Sequence, residues 1–159
     1  MFSVRMKHTL RPILDAPIYL YHGRLGWLLG RRFLLLTHVG RRTGRIHQTV
    51  LEVMEYRDES AEAVVMSGFG KQSNWLKNIE ANQQAKILIG SDCFAANYRL
   101  LGEDEAACVV AGYMRKNRFM APVIRWVLNK LVGWQYGDSQ IDRRRLVAQL
   151  PLVAFRPIK

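Results

Sequence analysis

Cysteine is scarce in this sequence, which has only Cys93 and Cys108 among its 159 residues. Two cysteines cannot form the disulfide framework on which small secreted domains depend. Cys93 lies in a run typical of a strand and Cys108 in a run typical of a helix, so we expect both to be small buried residues in a reducing compartment. Neither cysteine combines with a histidine in a spacing that metal sites use, so no metal site is predicted.

Acidic residues are also few, because 13 aspartates and glutamates stand against 24 lysines and arginines. The formal net charge is +11. A charge of this size favours an anionic partner, and it leaves nucleic acid, a lipid surface and a phosphorylated ligand as alternatives. Hydrophobic residues make up 49% of the chain, which is enough for the core of one domain.

Long apolar runs are absent as well. No stretch approaches the about 20 apolar residues of a membrane-spanning helix, and no secretory signal stands at the start. We therefore expect a cytoplasmic protein. Residues 1–32 mix apolar and aromatic residues with prolines and glycines, and they predict an amphipathic helical segment packed on the domain. The alternative is peripheral contact of this segment with the inner face of the membrane, through Tyr19, Tyr21 and Trp27.

Hydrophobic patterning divides residues 33–159 into short strands and helices. Short turns join most neighbouring strands, which indicates antiparallel pairing and excludes a parallel nucleotide-binding sheet. The sequence thus predicts one α+β domain, mainly antiparallel, built as a small barrel with flanking helices. The predicted strands are 33–39, 48–56, 61–67, 85–90, 93–101 and 150–157, and the predicted helices are 73–82, 103–118 and 122–132.

The turn between the first two strands is strongly cationic. Arginine presents a planar fork of donors that matches phosphate or carboxylate oxygens, and glycines let backbone N–H groups approach a ligand closely. The turn is therefore a candidate anion site, with a solvated basic hairpin as the alternative. Its candidate residues are Arg41, Arg42, Thr43, Gly44, Arg45 and His47.

A second, glycine-rich loop follows the third strand and precedes a short helix, for which Ser73 is the expected N-cap. The beginning of a helix presents N–H groups and a positive dipole end to an anion. Two such loops in one small barrel indicate one extended anionic ligand. Trp75 either stacks on a ring system of that ligand or fills the core. The candidate residues are Ser67, Gly68, Gly70, Lys71, Trp75 and Asn78.

Other chemistries find little support in the sequence. No Ser-His-Asp or Cys-His arrangement and no catalytic carboxylate pair can be argued from residue order. The basic segments 115–118 and 142–146 are predicted to lie on the surface. An RNA-binding barrel would interleave exposed aromatic residues with such basic ones, whereas Phe33, Phe94 and Phe155 lie in apolar runs and are expected in the core. Nucleic acid is therefore disfavoured as a partner.

Three segments, "LLLTHVGRRTGRIHQTVLEV", "VVMSGFGKQSNWLKNIEAN" and "LPLVAFRP", together resemble the deazaflavin-dependent nitroreductase family. The resemblance implies a split β-barrel of the kind that binds FMN, and an oxidoreductase. Its coenzyme would be the deazaflavin F420, which donates a hydride to an electron-poor small molecule such as a quinone, nitro compound or enone. The resemblance implies that Arg41, Arg42, Thr43 and Arg45, helped by Lys71, hold the anionic phosphate and tail, that Ser67, Gly68 and Gly70 border the ring, and that Trp75 and Asn78 line the same pocket.

The sequence departs from the family pattern at His47, where many members have arginine. Some relatives bind FMN, haem or a lipid, so these ligands stay open, as does a non-enzymatic basic protein that binds membrane lipid or nucleic acid. Family members place tyrosines of the C-terminal part near the substrate. Tyr113 and Tyr136 are the weak candidates for this role, with a structural role as the alternative. Monomer and homodimer are both left open.

Overall fold

The computed structural model describes residues 30–158. The predicted N-terminal segment, residues 1–32, lies outside the described residues except for its last three, and it stays a prediction. Six strands and four α-helices follow one another in residues 30–158. The strands are β1 Phe33–Val39, β2 Ile46–Arg57, β3 Glu62–Met66, β4 Ala85–Ile89, β5 Asp92–Leu100 and β6 Leu152–Pro157, and the helices are α1 Asn74–Asn82, α2 Glu103–Lys116, α3 Ala121–Val132 and α4 Gln140–Gln149.

The six strands close into a barrel in the order β1-β2-β3-β6-β5-β4. Every neighbouring pair is antiparallel, and β4 pairs with β1 to complete the ring. Closure leaves none of these described strands with an unpaired edge, which removes a common route to aggregation. The prediction of an α+β split β-barrel with flanking helices is confirmed.

Side-chain alternation along the strands builds two cores, one inside the barrel and one between the barrel and helices α2 to α4. In β6, Val153 and Phe155 belong to the inner core, whereas Leu152 and Ala154 belong to the outer one. Trp75 of α1 joins the inner core, where its ring centroid lies 6.2 Å from that of Phe155. Helix α1 therefore closes one end of the barrel.

The ends of the helices follow from local signals in the sequence. Gln83 and Gly133 adopt left-handed backbone angles, φ 54 and φ 78, and end α1 and α3. Helix α4 begins with a capping box, in which Ser139 and Asp142 each accept a hydrogen bond from the other's backbone N–H. Among residues 30–158, no helix combines the length and the apolar character that a membrane span requires.

Helix α4 corrects the prediction that residues 142–146 are only a basic surface segment. Leu146 and Val147 are buried in the outer core, whereas Arg144 and Arg145 are exposed and Arg143 is half-buried. The arginine-rich sequence lacks a broad apolar stripe, so periodicity gives no sign of this helix. The closing strand consequently begins at Leu152 and not at residue 150.

The expectation that both cysteines are buried is wrong, because Cys93 on β5 and Cys108 on α2 are exposed. A strand and an amphipathic helix each leave one face to solvent, and residue type alone does not assign a small residue to a face. The expectation that three phenylalanines lie in the core agrees better with the structure. Phe155 is fully buried, and Phe33 and Phe94 are half-buried.

A cluster of charges fastens α2 to the barrel. The guanidinium groups of Arg57 and Arg99 both bind Glu62 and Glu105, each at 2.8 Å. Hydrogen bonds from Arg99, followed by those from Arg57, lower the pKa of Glu105 to about 2. The hydrogen bond from Arg99 likewise lowers the pKa of Glu62, against the opposing effect of burial.

Candidate functional site

Two loops meet at the barrel end that α1 closes. We call residues 40–45, between β1 and β2, the cationic loop, and residues 67–73, between β3 and α1, the glycine loop. Helix α1 is tied to the cationic loop by side-chain hydrogen bonds. Asn82 donates to the carbonyl of Val39 at 2.8 Å, and Asn78 accepts two hydrogen bonds from Arg41. The structure thus brings together the two loops that the sequence marks as candidate anion sites.

The cationic loop uses its own backbone to hold its shape. Gly40 donates to the carbonyl of Arg45 at 2.7 Å, and Gly44 donates to the carbonyl of Gly40 at 2.8 Å. The hydroxyl of Thr43 accepts a hydrogen bond from Arg45 N at 3.3 Å. Gly44 has φ 66, which glycine adopts without strain. These amides are engaged within the protein, so the loop offers a ligand its guanidinium groups and the proton of the Thr43 hydroxyl, which is still free to donate.

Those guanidinium groups belong to Arg41, Arg42 and Arg45, which are all exposed. Within the described part of the chain, none of the three lies within ion-pair distance of a carboxylate. The arginines of β2 and β5 that face α2 are, by contrast, paired with glutamates. Three uncompensated cations in one short loop form a site that suits an extended anion.

Asn78 fixes the first of these arginines. Its side-chain oxygen accepts hydrogen bonds from the backbone N–H of Arg41 at 3.1 Å and from the Arg41 guanidinium at 2.9 Å. Asn78 is buried, with 5% of its surface exposed, so this anchor is shielded from water. The double contact holds both the backbone and the side chain of Arg41. An arginine held in place before binding loses less conformational entropy when it meets a ligand.

His38 in turn holds Asn78. The amide nitrogen of Asn78 lies 3.1 Å from Nδ1 of His38, and Nε2 of His38 lies 3.4 Å from the Thr49 hydroxyl. Since both donors of Arg41 occupy the Asn78 oxygen, the Asn78 nitrogen must donate, so His38 Nδ1 is unprotonated. Burial, and secondarily the charge of His47, lower the pKa of His38 to about 4. A neutral His38 therefore completes a chain of contacts that runs through Asn78 to Arg41.

His47 packs over the cationic loop from β2. Its ring stacks on that of His38, with the centroids 5.7 Å apart and the planes inclined by 22°. A Cβ atom at Gly40 would lie 2.9 Å from His47 Nε2 and 3.0 Å from the Thr43 hydroxyl. His47 therefore occupies the space that a side chain at residue 40 would need, so such a side chain would displace His47 or Thr43.

The glycine loop is built around a buried serine. The Ser67 hydroxyl donates to the carbonyl of Gly70 at 2.7 Å and lies 2.6 Å from the hydroxyl of Ser73. The expected side-chain cap by Ser73 is therefore not made, because its hydroxyl pairs with Ser67 instead. Gly70 has φ 63, and a Cβ atom there would lie 2.8 Å from the carbonyl oxygen of Gln149 in α4. Ser67 and Gly70 support the loop from within.

The exposed side of the glycine loop consists of other residues. Phe69 has 57% of its surface exposed, and Lys71 is exposed as well. Gly68, which precedes Phe69, is half-buried. Sequence reasoning overlooked both Phe69 and His38, although each carried a signal. Phe69 stands between two glycines in "SGFG", and His38 is a polar residue within an apolar strand.

Neither candidate tyrosine belongs to the two loops. Tyr113 donates to Glu52 at 2.8 Å, beside a groove of about 380 Å³ between α2 and the barrel. Glu52 pairs with Phe33 at the start of β1, whereas the cationic loop follows the end of β1. The two ends of this strand are roughly 20 Å apart. Tyr136 is buried in the outer core and donates to Asp138 at 2.6 Å. In both cases burial, followed by the carboxylate, raises the pKa of the tyrosine.

The residues at the loop end fit a coenzyme that has an anionic tail and a flat ring. The guanidinium groups and Lys71 match phosphate and carboxylate oxygens, and Phe69 is an exposed aromatic side chain beside them. Trp75 and Asn78 are buried beneath the loops, so direct contact of these two residues with a ring stays a prediction. No group of three or more metal-ligating side chains is found among residues 30–158.

Comparison with known proteins adds a family and a fold. A family model described as F420H(2)-dependent quinone reductase matches residues 20–119. A solved structure described as an F420-H2 dependent reductase (FDR-A) aligns with a TM-score of 0.53 and 14% identity, over 80% of this chain and 96% of that chain. Another, described as a domain-swapped dimer, aligns with a TM-score of 0.50 and 12% identity, over 89% of this chain and 100% of that chain. No curated protein matches the sequence.

Proposed function

Because the chain belongs to the F420H(2)-dependent quinone reductase family, we propose that it reduces a quinone-type acceptor. Membership makes the protein a deazaflavin-dependent oxidoreductase whose coenzyme is F420, and it confirms the resemblance that the sequence motifs carry. Nitro compounds and enones are the other electron-poor acceptors within the proposal. FMN is a minor alternative as coenzyme.

The observation that carries the proposal is the trio Arg41, Arg42 and Arg45, exposed at the closed end of the barrel without carboxylate partners in the described chain. Leaving three cations close together is unfavourable unless an anion joins them. We propose that they bind the phosphate and the acidic tail of the coenzyme, with Lys71 beside them. Their positions at the end of the β1–β2 hairpin give the tail a fixed direction.

The chain contributes binding and orientation to the reaction. The reduced coenzyme supplies the hydride, and the acceptor takes up this hydride and a proton. Asn78 and His38 hold Arg41 in one position, which limits the entropy lost on binding. We propose that Phe69 packs on the flat ring and excludes water from one side of it. Gly68 would let the ring approach the loop closely.

Roles for the remaining candidates stay predictions. His47 packs on Gly40 and so shapes the cationic loop, and contact of His47 with the coenzyme stays a prediction. Tyr113 and Tyr136 donate their hydroxyl protons to the carboxylates of Glu52 and Asp138, so both protons are already engaged within the protein. We therefore assign neither tyrosine a step in hydride transfer.

The test is a titration of the chain with F420, followed by quenching of the coenzyme's fluorescence, beside a parallel titration with FMN. The variant Arg41→Ala/Arg42→Ala is expected to weaken F420 binding by about a hundredfold, since each lost charge-assisted contact contributes about 1.5 kcal/mol or more. The matched control is Arg115→Ala/Arg156→Ala, which removes two exposed arginines elsewhere on the surface. Equal affinities for the wild type and the loop variant would refute the assignment of the site.

The acceptor is tested separately in the same preparation. Reduced F420 is mixed with the chain and with a soluble quinone, a nitroaromatic compound or an enone, and its oxidation is followed by absorbance. We expect the quinone to react fastest. Coenzyme binding without quinone reduction would contradict the proposed acceptor while leaving the coenzyme site intact.

A further inference from the structure

Helix α3 has a second apolar face, which points to solvent. Its inner face buries Leu128 and Val132 in the outer core. On the opposite side, Val123, Trp126 and Val127 have 53%, 55% and 36% of their surface exposed. These three positions have the spacing i, i+3, i+4 and so form one stripe along the helix. The stripe is additional to the contacts that hold α3 on the domain.

The turn before α3 continues this stripe. Phe119 and Met120, in a short 3-10 turn, have 86% and 49% of their surface exposed. We call Phe119, Met120, Val123, Trp126 and Val127 the α3 patch. Single exposed apolar residues are common on proteins, but five that share one helix and its leading turn mark an interaction surface.

All charged residues in the segment that carries the α3 patch are basic. Residues 115–130 contain five basic and no acidic residues, and all five basic side chains are exposed. Within residues 30–158 none of them is in an ion pair, and the Arg118 guanidinium lies over the Phe119 ring, 4.9 Å from its centroid. The basic residues around the patch are Arg115, Lys116, Arg118, Arg125 and Lys130.

We propose that the α3 patch docks on the surface of an anionic lipid bilayer. Trp126, Phe119 and the aliphatic side chains would enter the boundary between headgroups and acyl chains, while the basic side chains meet lipid phosphates. The helix has 12 residues, so it lies along such a surface and does not cross it. Long side chains such as Lys130 keep their charge at headgroup level while their stems cover apolar surface.

The charge of this region argues against a second copy of the chain as the occupant. A two-fold interface places the same patch on both partners, so it would bring ten cations together without a described carboxylate among residues 115–130 to offset them. Lipid phosphates supply the opposite charge, and acyl chains accept the apolar side chains. Both features of the patch are therefore satisfied by one partner.

The test is cosedimentation of the full chain with vesicles of phosphatidylcholine, with and without phosphatidylglycerol. We expect binding to the anionic vesicles, and we expect the variants Phe119→Ser/Trp126→Ser and Arg118→Glu/Arg125→Glu each to weaken it by about tenfold or more. The matched controls are Ile141→Ser/Ile158→Ser, two exposed isoleucines elsewhere, and Lys86→Glu/Arg156→Glu, two exposed cations elsewhere. Residues 1–29 are present in every variant, so a difference between variants reports on the patch.

Further readouts make the outcome unambiguous. Lipids with brominated acyl chains should quench less of the tryptophan fluorescence in Trp126→Phe than in the wild type. All variants should titrate F420 as the wild type does, which separates this proposal from the coenzyme site. Wild-type binding by the patch variants, absence of binding by the wild type, or a patch variant that changes only the oligomeric state would each overturn the proposal.

Discussion

Replacement of Asn78 by alanine tests whether the chain of contacts from His38 to Arg41 organises the coenzyme site. The change removes the oxygen that accepts two hydrogen bonds from Arg41, at 3.1 Å and 2.9 Å. It also removes the nitrogen that donates to Nδ1 of His38 at 3.1 Å. His38 is 4% exposed, so the freed ring nitrogen has little access to water.

The magnitude follows from these contacts. A hydrogen bond to a charged group contributes about 1.5–3 kcal/mol, and a buried polar atom left without its partner costs about 1–3 kcal/mol. Because Arg41 is exposed and can be solvated again, we expect the free energy of unfolding to fall by about 2–3 kcal/mol in Asn78→Ala. For a domain of this size that corresponds to a fall in Tm of roughly 5–10 °C.

Coenzyme binding should weaken in the same variant. Arg41 is then free to sample several rotamers, and ordering one long side chain on binding costs about 0.5–1.5 kcal/mol. We expect the Kd for F420 to rise about three- to tenfold, measured by fluorescence titration at a temperature well below the Tm. The effect is smaller than that of removing the arginines, because the cations themselves remain.

Asn82→Ala is the matched control. Asn82 lies on the same helix and also donates to the β1–β2 hairpin, but its partner is the carbonyl of Val39 and not Arg41. It should lower the Tm modestly and leave the Kd unchanged. If Asn78→Ala matched the wild type in both Tm and Kd, the reasoning from these contacts would be refuted.

Three further predictions concern the loops and the ion cluster. In thermal unfolding, Gly70→Ala should lower the Tm far more than Gly44→Ala. Both positions have a positive φ, which costs an alanine about 1–2 kcal/mol, but only at Gly70 would the new Cβ meet a carbonyl oxygen, at 2.8 Å. As the pH is lowered from 6.5 to 4, the free energy of unfolding of the wild type should fall by up to about 1.4 kcal/mol per pH unit. The reason is that the fold lowers the pKa of His38 to about 4, so the unfolded chain binds the proton at a higher pH than the folded chain does. His38→Gln should flatten this slope in denaturant titrations. Glu62→Gln should reduce the free energy of unfolding by about 2 kcal/mol, since two arginines lose the carboxylate they share.

Each of these has a result that would contradict it. Equal losses in Tm for the two glycine variants would mean that the loop moves away from α4 without cost. An unchanged acid slope in His38→Gln would place the titrating group elsewhere. A stable Glu62→Gln variant would show that Glu105 alone compensates both arginines.

Short apolar or alternating runs joined by short turns were enough to predict the barrel, because such turns allow only antiparallel pairing of neighbouring strands. The β1 prediction, residues 33–39, agrees with the structure to the residue, since the run is mostly apolar and a glycine follows it. Helix α4 escaped prediction because only Leu146 and Val147 are buried, too few to produce a stripe. Its capping box, Ser139 with Asp142, was the one local signal available.

The location of the candidate site could be predicted from the sequence, but which of its residues face a ligand and which support the loops could not. Glycines and arginines mark a loop whatever the rest of the chain does, so both loops were found. Whether a polar residue faces a ligand or supports the loop depends on which neighbours approach it in the fold. Ser67 bonds within its loop and Asn78 binds Arg41, and neither contact has a signature in sequence spacing.

Because β6 lies between β3 and β5, the barrel cannot close during synthesis until β6 has been made. Both loops of the candidate site emerge early, but the Gln149 carbonyl beneath Gly70 and the strand that completes the barrel follow the other five strands in the chain. Until then β3 and β5 expose unpaired edges, and a nascent chain in that state is prone to pair with others. The protein should therefore acquire its capacity to bind the coenzyme in a single late step, after synthesis has passed residue 157.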